Sequence, residues 1–302
     1  MKTIKILFVA LILGAGIFTF CNTKKSWSAS APEIQAARDA IQMENTVAEI
    51  KGIITYYQRL YADIFVAPTF KVGGAENLTR IIGTKRKDSC VNIIIEKMTI
   101  DDSATIKLTI DYGAFGCICS DGKTRKGSIV NLYSWMKAGG WSKESTIDNL
   151  IVNGEIQAGT ISSSFGLVGA SKHRNWIEKT TMRIPAKDGS WKEWSSNRNR
   201  EMIKGNDTKD INKIVFKVTG TSKGSNSSGF SYSSQIKEDN PLIKPANFGT
   251  FTKGTMVMTN SNGKIVTLDY GDGTYKKVVT IKTPSDKNGK GATTTNVKLM
   301  GI

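Results

Sequence analysis

Histidine is almost missing: His173 is the only one in the chain, so triads built on a histidine base and multi-histidine metal sites lack their parts. Proline is scarce too, six in 302 residues, and with 29 glycines the composition excludes collagen-like and proline-rich disordered chains. No apolar run exceeds the roughly 15 residues of Ile6–Phe20, short of the ~20 that a membrane-spanning helix needs. Acidic residues are outnumbered, 26 against 42 Lys and Arg, for a formal charge of +16. G-x-S-x-G, Walker A and H-E-x-x-H motifs are all absent.

What is present begins with an export pattern. Lys2 and Lys5 precede the apolar run, which ends at Cys21; this is the order of a cleaved signal, assigned to residues 1–20. A lone Cys there resembles the acylation site of bacterial lipoproteins, although Phe18-Thr19-Phe20 differs from the usual Leu at −3 and small residue at −1. Cleavage within Ser28–Ala31 is the alternative, with Pro32 at +1. The small polar residues 21–31 read as a tether. The mature chain is then expected outside the cytoplasm, anchored through Cys21 in the cell envelope. Loss of Lys2 and Lys5 takes its charge from +16 to about +14. The polyanions available there are acidic glycan and lipopolysaccharide, whereas nucleic acid is seldom met.

From Pro32 the apolar residues recur at three and four, which predicts an amphipathic helical segment over 32–66, whole or broken near Gly52. Residues 67–89, with Pro68, Gly73, Gly74 and Lys85-Arg86-Lys87, read as a connecting loop. From Cys90 the period becomes two, and residues 90–302 divide into thirteen candidate strands. Asn153-Gly154, Asp188-Gly189 and Asn262-Gly263 mark tight hairpins. The fold class is therefore mainly β: a large antiparallel meander, either a curved open sheet cradling the helix or a two-sheet sandwich. Lys107–Gly113 and Ile265–Gly271 share Thr, an aliphatic residue and Asp-Tyr-Gly in register, as in a duplicated hairpin.

Cys90, the Asp-Tyr-Gly blocks at 111–113 and 269–271, Asp121-Gly-Lys-Thr-Arg-Lys-Gly127 and Asp148–Gly154 together resemble a family of uncharacterised secreted lipoproteins of Bacteroidota. The resemblance covers roughly residues 85–285 and brings no activity. In an oxidising compartment a cysteine pair is expected. If opposed residues of the first hairpin sum to about 204, Cys90 comes within reach of Cys117 or Cys119. The resemblance implies Cys90–Cys117, leaving Cys119 free.

Four further readings concern chemistry. Asp269-Tyr-Gly-Asp-Gly273 lacks the EF-hand pattern and reads as a self-bonded turn, and no cofactor or metal is assigned. On the strand Ser190–Met202, alternation puts Lys192, Trp194, Arg198 and Arg200 on one face, the candidate polyanion-binding surface, with Lys123, Arg125 and Lys126 adding charge. Asp102-Ser103-Ala104 resembles a short O-glycosylation acceptor, placing a glycan on Ser103. Asp and Glu stand in no motif that fixes a catalytic separation. The functional expectation is non-catalytic binding of an anionic glycan, lipid or protein partner in the envelope. The alternatives are a secreted polysaccharide hydrolase and a purely structural envelope lipoprotein.

Overall fold

The computed structural model describes residues 32–62, 64–65, 79–83, 88–100, 103–135, 141–168, 173–208, 210–248, 250–283 and 293–298. The segments assigned as signal and tether, with Cys21, lie outside these residues. The fold below is that of the unit Glu33–Ile302.

Among the described residues one α-helix, α1 (Pro32–Leu60), is followed by sixteen strands. They are β1 (Thr79–Gly83), β2 (Asn92–Ile100), β3 (Ser103–Asp111), β4 (Cys117–Ile118), β5 (Thr124–Trp135), β6 (Trp141–Val152), β7 (Glu155–Val168) and β8 (His173–Pro185) in the first half. The second half contributes β9 (Trp191–Lys204), β10 (Val215–Asn226), β11 (Ser231–Ile236), β12 (Leu242–Pro245), β13 (Lys253–Asn260), β14 (Ile265–Asp272), β15 (Val278–Thr283) and β16 (Thr293–Lys298). All belong to one antiparallel sheet whose order follows the chain, with β4 pairing beside β5 and β12 bridging β10 and β13. The thirteen strands expected from alternation are present. β1, within the stretch read as a loop, and the short β4 and β12 carry too few residues to show a period.

In the first hairpin Asn92 pairs with Asp111 and Ile100 with Ser103. Opposed residues thus sum to 203, one less than expected, because two residues rather than an odd number form the connection. Ser103 therefore opens β3; its side chain and Asp102 lie outside what is described.

Of the two architectures left open, the curved single sheet is the one formed. Helix α1 is continuous through Gly52, which faces outward. Its buried residues, from Ala36, Ala37 and Ile41 to Ile50, Ile54 and Tyr57, sweep roughly 220° of circumference at ~100° per residue. An ordinary surface helix buries a stripe little wider than about 100°. Glu49 and Lys51, about 160° apart around the helix, both reach the sheet, Glu49 at Arg125 of β5 and Lys51 at Glu178 of β8. A flat sheet touches one flank of a helix, so contact on opposite flanks requires the sheet to curl around it.

The inner face is not uniform. From β2 to β6 it presents Ile93, Ile95, Ile106, Leu108, Ile110, Ile129, Ile147 and Leu150, all within 2% of complete burial. From β8 to β11 the inward positions include Glu178, Arg198, Ser222 and Ser234, also buried. The helix is held by aliphatic packing on one side and by ion pairs on the other.

The two Asp-Tyr-Gly blocks make the same local structure. Asp111 Oδ1 accepts from the Gly113 amide at 2.8 Å and Asp269 Oδ1 from the Gly271 amide at 2.9 Å. The glycines take φ of 72° and 103°, where an L side chain is strained. Tyr112 and Tyr270 turn inward and are buried.

Candidate functional site: two faces of the central strands

The structure keeps Lys192, Trp194, Arg198 and Arg200 on one face of β9, but that face is the inner one, so the solvent-facing polyanion surface assigned to it is not formed. Trp194 is 3% exposed and Arg198 5%. Their cationic neighbours are consumed by α1 and β8: Lys192 meets Asp39 at 2.8 Å, Arg198 meets Glu44 at 2.6 Å, and Arg200 lies 3.3 Å from Glu178. Arg200 also stacks over Trp176 and Phe216, 4.9 and 4.6 Å from the ring centres. The reason is general: period two tells which residues share a face, and composition does not tell which face is covered. The carboxylates of Asp39, Glu44 and Glu49 on the helix were the available signal, since charges drawn under a sheet need partners.

Two of the added cations are also taken. Arg125, 3% exposed, bonds Glu49 and Asp121, each at 2.6 Å, and Lys123 reaches Glu49 at 2.6 Å. The Arg125 guanidinium holds the Asp121 carboxyl down at about 2. Lys126 alone of the three is exposed.

At the edge of this network Cys90 and Cys117 form a disulfide, with Cα atoms 5.5 Å apart. Cys119 is a free, buried thiol whose Sγ lies 4.0 Å from that of Cys117. Burial pushes its ionisation up, against hydrogen bonding from Arg125.

The outer face of the same strands carries a different pattern. Register places Thr146, Thr160, Thr181, Ser195, Lys223, Ser233 and Thr259 side by side on β6 to β13. Neighbouring strands lie about 4.8 Å apart, so hydroxyls recur at that spacing across seven strands, interrupted once by a lysine. The adjacent row runs Glu144, Ser162, Lys179, Asn197, Thr221 and Gln235. Because the outward side chains are small, a broad groove of about 750 Å³ opens over β7 to β13, with Ser195, Lys223, Ser225 and Ser233 among its lining. On the opposite, inner side of the sheet Gly224 leaves room for the ring of Tyr232, with which any Cβ there would collide. At one end Arg183 pairs with Glu193 at 3.2 Å and stacks 5.2 Å from the centre of Trp191. Lys179 and Lys223 are exposed and have no salt-bridge partner among the described residues.

His173 Nδ1 lies 2.8 Å from Glu201, which also accepts Lys217 at 3.1 Å; the one histidine belongs to a surface ion chain. Among the described residues no cluster of three or more metal-ligating side chains occurs. Asp269, considered above as a turn residue, is engaged by Lys282 at 2.7 Å.

No protein-family model, curated protein or solved structure matches this chain.

Proposed function

We propose that this is an exported envelope lipoprotein that binds an anionic glycan without catalysis, through the outer groove of the sheet. The observation that carries the reading is the ladder of hydroxyl and amide side chains across β6 to β13, with Lys179 and Lys223 exposed within it. Hydroxyls and amides exchange hydrogen bonds with sugar hydroxyls, and exposed lysines meet carboxylate or sulfate. The groove lining includes one carboxylate, Glu193, already engaged by Arg183, which favours binding over two-carboxylate hydrolysis. Export and anchoring rest on the apolar run ending at Cys21.

The test is retention of the full-length chain, in detergent, on a heparin matrix across a salt gradient. Wild type is expected to bind at low salt and elute early as salt rises, since exposed charge contacts are screened within about 8 Å at physiological ionic strength. Lys179→Ala, Lys223→Ala is expected to elute earlier still. Failure of wild type to bind at low salt overturns the reading.

A further inference from the structure

Inside the curl, on the opposite side of the sheet from the groove, lies a cavity of about 80 Å³. Glu44 and Lys51 of α1 and Glu178, Arg198, Arg200 and Lys244 of the sheet surround it, against an apolar wall of Val218, Phe251 and Tyr270. Four cations thus face two carboxylates. The pairs that form are Lys51–Glu178 at 2.8 Å, Arg198–Glu44 at 2.6 Å and Arg200–Glu178 at 3.3 Å. Three cations use up both carboxylates, and among the described residues Lys244 is left with only the Phe251 ring, 6.0 Å from its Nζ.

The donors are not exhausted by these pairs. Arg198 spends Nη2 on Glu44, Ser222 and Met256, while its buried Nη1 has no partner. Arg200 Nε is likewise buried and unpartnered. With the Lys244 ammonium, three kinds of cationic donor border one small space. Lys143 of β6 adds to the surplus, being close enough to interact with Glu178, Lys51 and Arg200. Cationic donors drawn into a poorly hydrated site and left unpaired are costly. A multivalent anion with several acceptor oxygens removes that cost in one step. A single water needs only about 10–15 Å³, so a space of about 80 Å³ has room for a tetrahedral oxyanion.

We propose that this cavity binds a phosphate group, as inorganic phosphate or as the head of a phosphate monoester lipid. Phosphate suits the site better than a carboxylate because its charge approaches the local excess and its oxygens point in several directions, as the donors do. The helix and sheet would then be joined by the anion as well as by their direct ion pairs.

The experiment is a ³¹P NMR titration of the full-length chain in detergent, at low ionic strength, with inorganic phosphate and separately with dihexanoyl phosphatidic acid. Wild type is expected to show saturable one-to-one binding of phosphate. Lys244→Met and Lys244→Gln are expected to weaken it about tenfold, the loss of one charge-assisted contact. Lys204→Met, an exposed cation outside the cavity, is expected to leave it unchanged. Tighter binding of the short-chain lipid than of phosphate assigns the group to a lipid head, and equal affinity assigns it to the free anion. Absence of saturable binding in wild type, or undiminished binding in both Lys244 variants, overturns the proposal. The heparin assay reads the other face of the sheet, so either result can fail alone.

Discussion

Arg198 on β9 and Glu44 on the helix meet at 2.6 Å under the curl of the sheet, a contact that draws the basic row of β9 inward instead of presenting it to solvent. Arg198 is 5% exposed, so the pair is a buried tie between two elements rather than a solvated one. Removing one member strands the other in a site it cannot leave. Arg198→Ala is expected to cost about 3–5 kcal/mol of stability in urea denaturation, and Glu44→Gln, Arg198→Met less than the sum of the single losses. Additive losses would mean that the two side chains do not depend on one another.

The Cys90–Cys117 bridge closes a separation of 27 residues, for which chain entropy predicts about 3.5 kcal/mol of stabilisation. Cys90→Ser, Cys117→Ser is expected to unfold at correspondingly lower urea. Cys119, buried and with its ionisation raised, is expected to resist iodoacetamide near pH 8 in the native state and to react once the chain is unfolded. Rapid native labelling would place that thiol at the surface.

Stability is expected to rise between about pH 8 and pH 9 in phosphate-free buffer. Burial holds the Lys143 and Lys244 ammoniums down to about 8 from 10.5, aided at Lys244 by Lys51 and Arg200. In that window the unfolded chain binds more protons than the folded one, so stability increases with pH. From about pH 9 upward the slope flattens and then reverses, because burial keeps first Cys119 and then Tyr112, Tyr133, Tyr232 and Tyr270 protonated in the folded chain after they ionise in the unfolded one. Thermal melts across the range check this, and Lys244→Met should flatten the rise. A steady fall from pH 8 upward would contradict it.

Much of this architecture was legible because period two and the Asn-Gly and Asp-Gly turns are local signals, strong from Val91 onward. β1 and β12, of five and four residues, are set by pairing with neighbours far along the chain, which no local pattern reports. The face assignment on β9 failed for a related reason. Trp191 and Trp194 are equally apolar, and only the helix, more than 130 residues earlier in the chain, decides that Trp194 is covered. The outer groove was invisible because its signal is lateral: Thr160, Thr181, Ser195 and Ser233 are ordinary strand residues until register places them in one row.

The groove claim can be separated from general basicity by one substitution that leaves the charge untouched. Ser233 is exposed on β11 and lines the groove, so Ser233→Trp fills part of that space while Lys179 and Lys223 remain. On the heparin salt gradient, the account predicts that Ser233→Trp elutes well before wild type while melting at a similar temperature. Elution together with wild type, with only Lys179→Ala, Lys223→Ala shifted, would show that net charge rather than this groove holds the glycan, and would contradict the account.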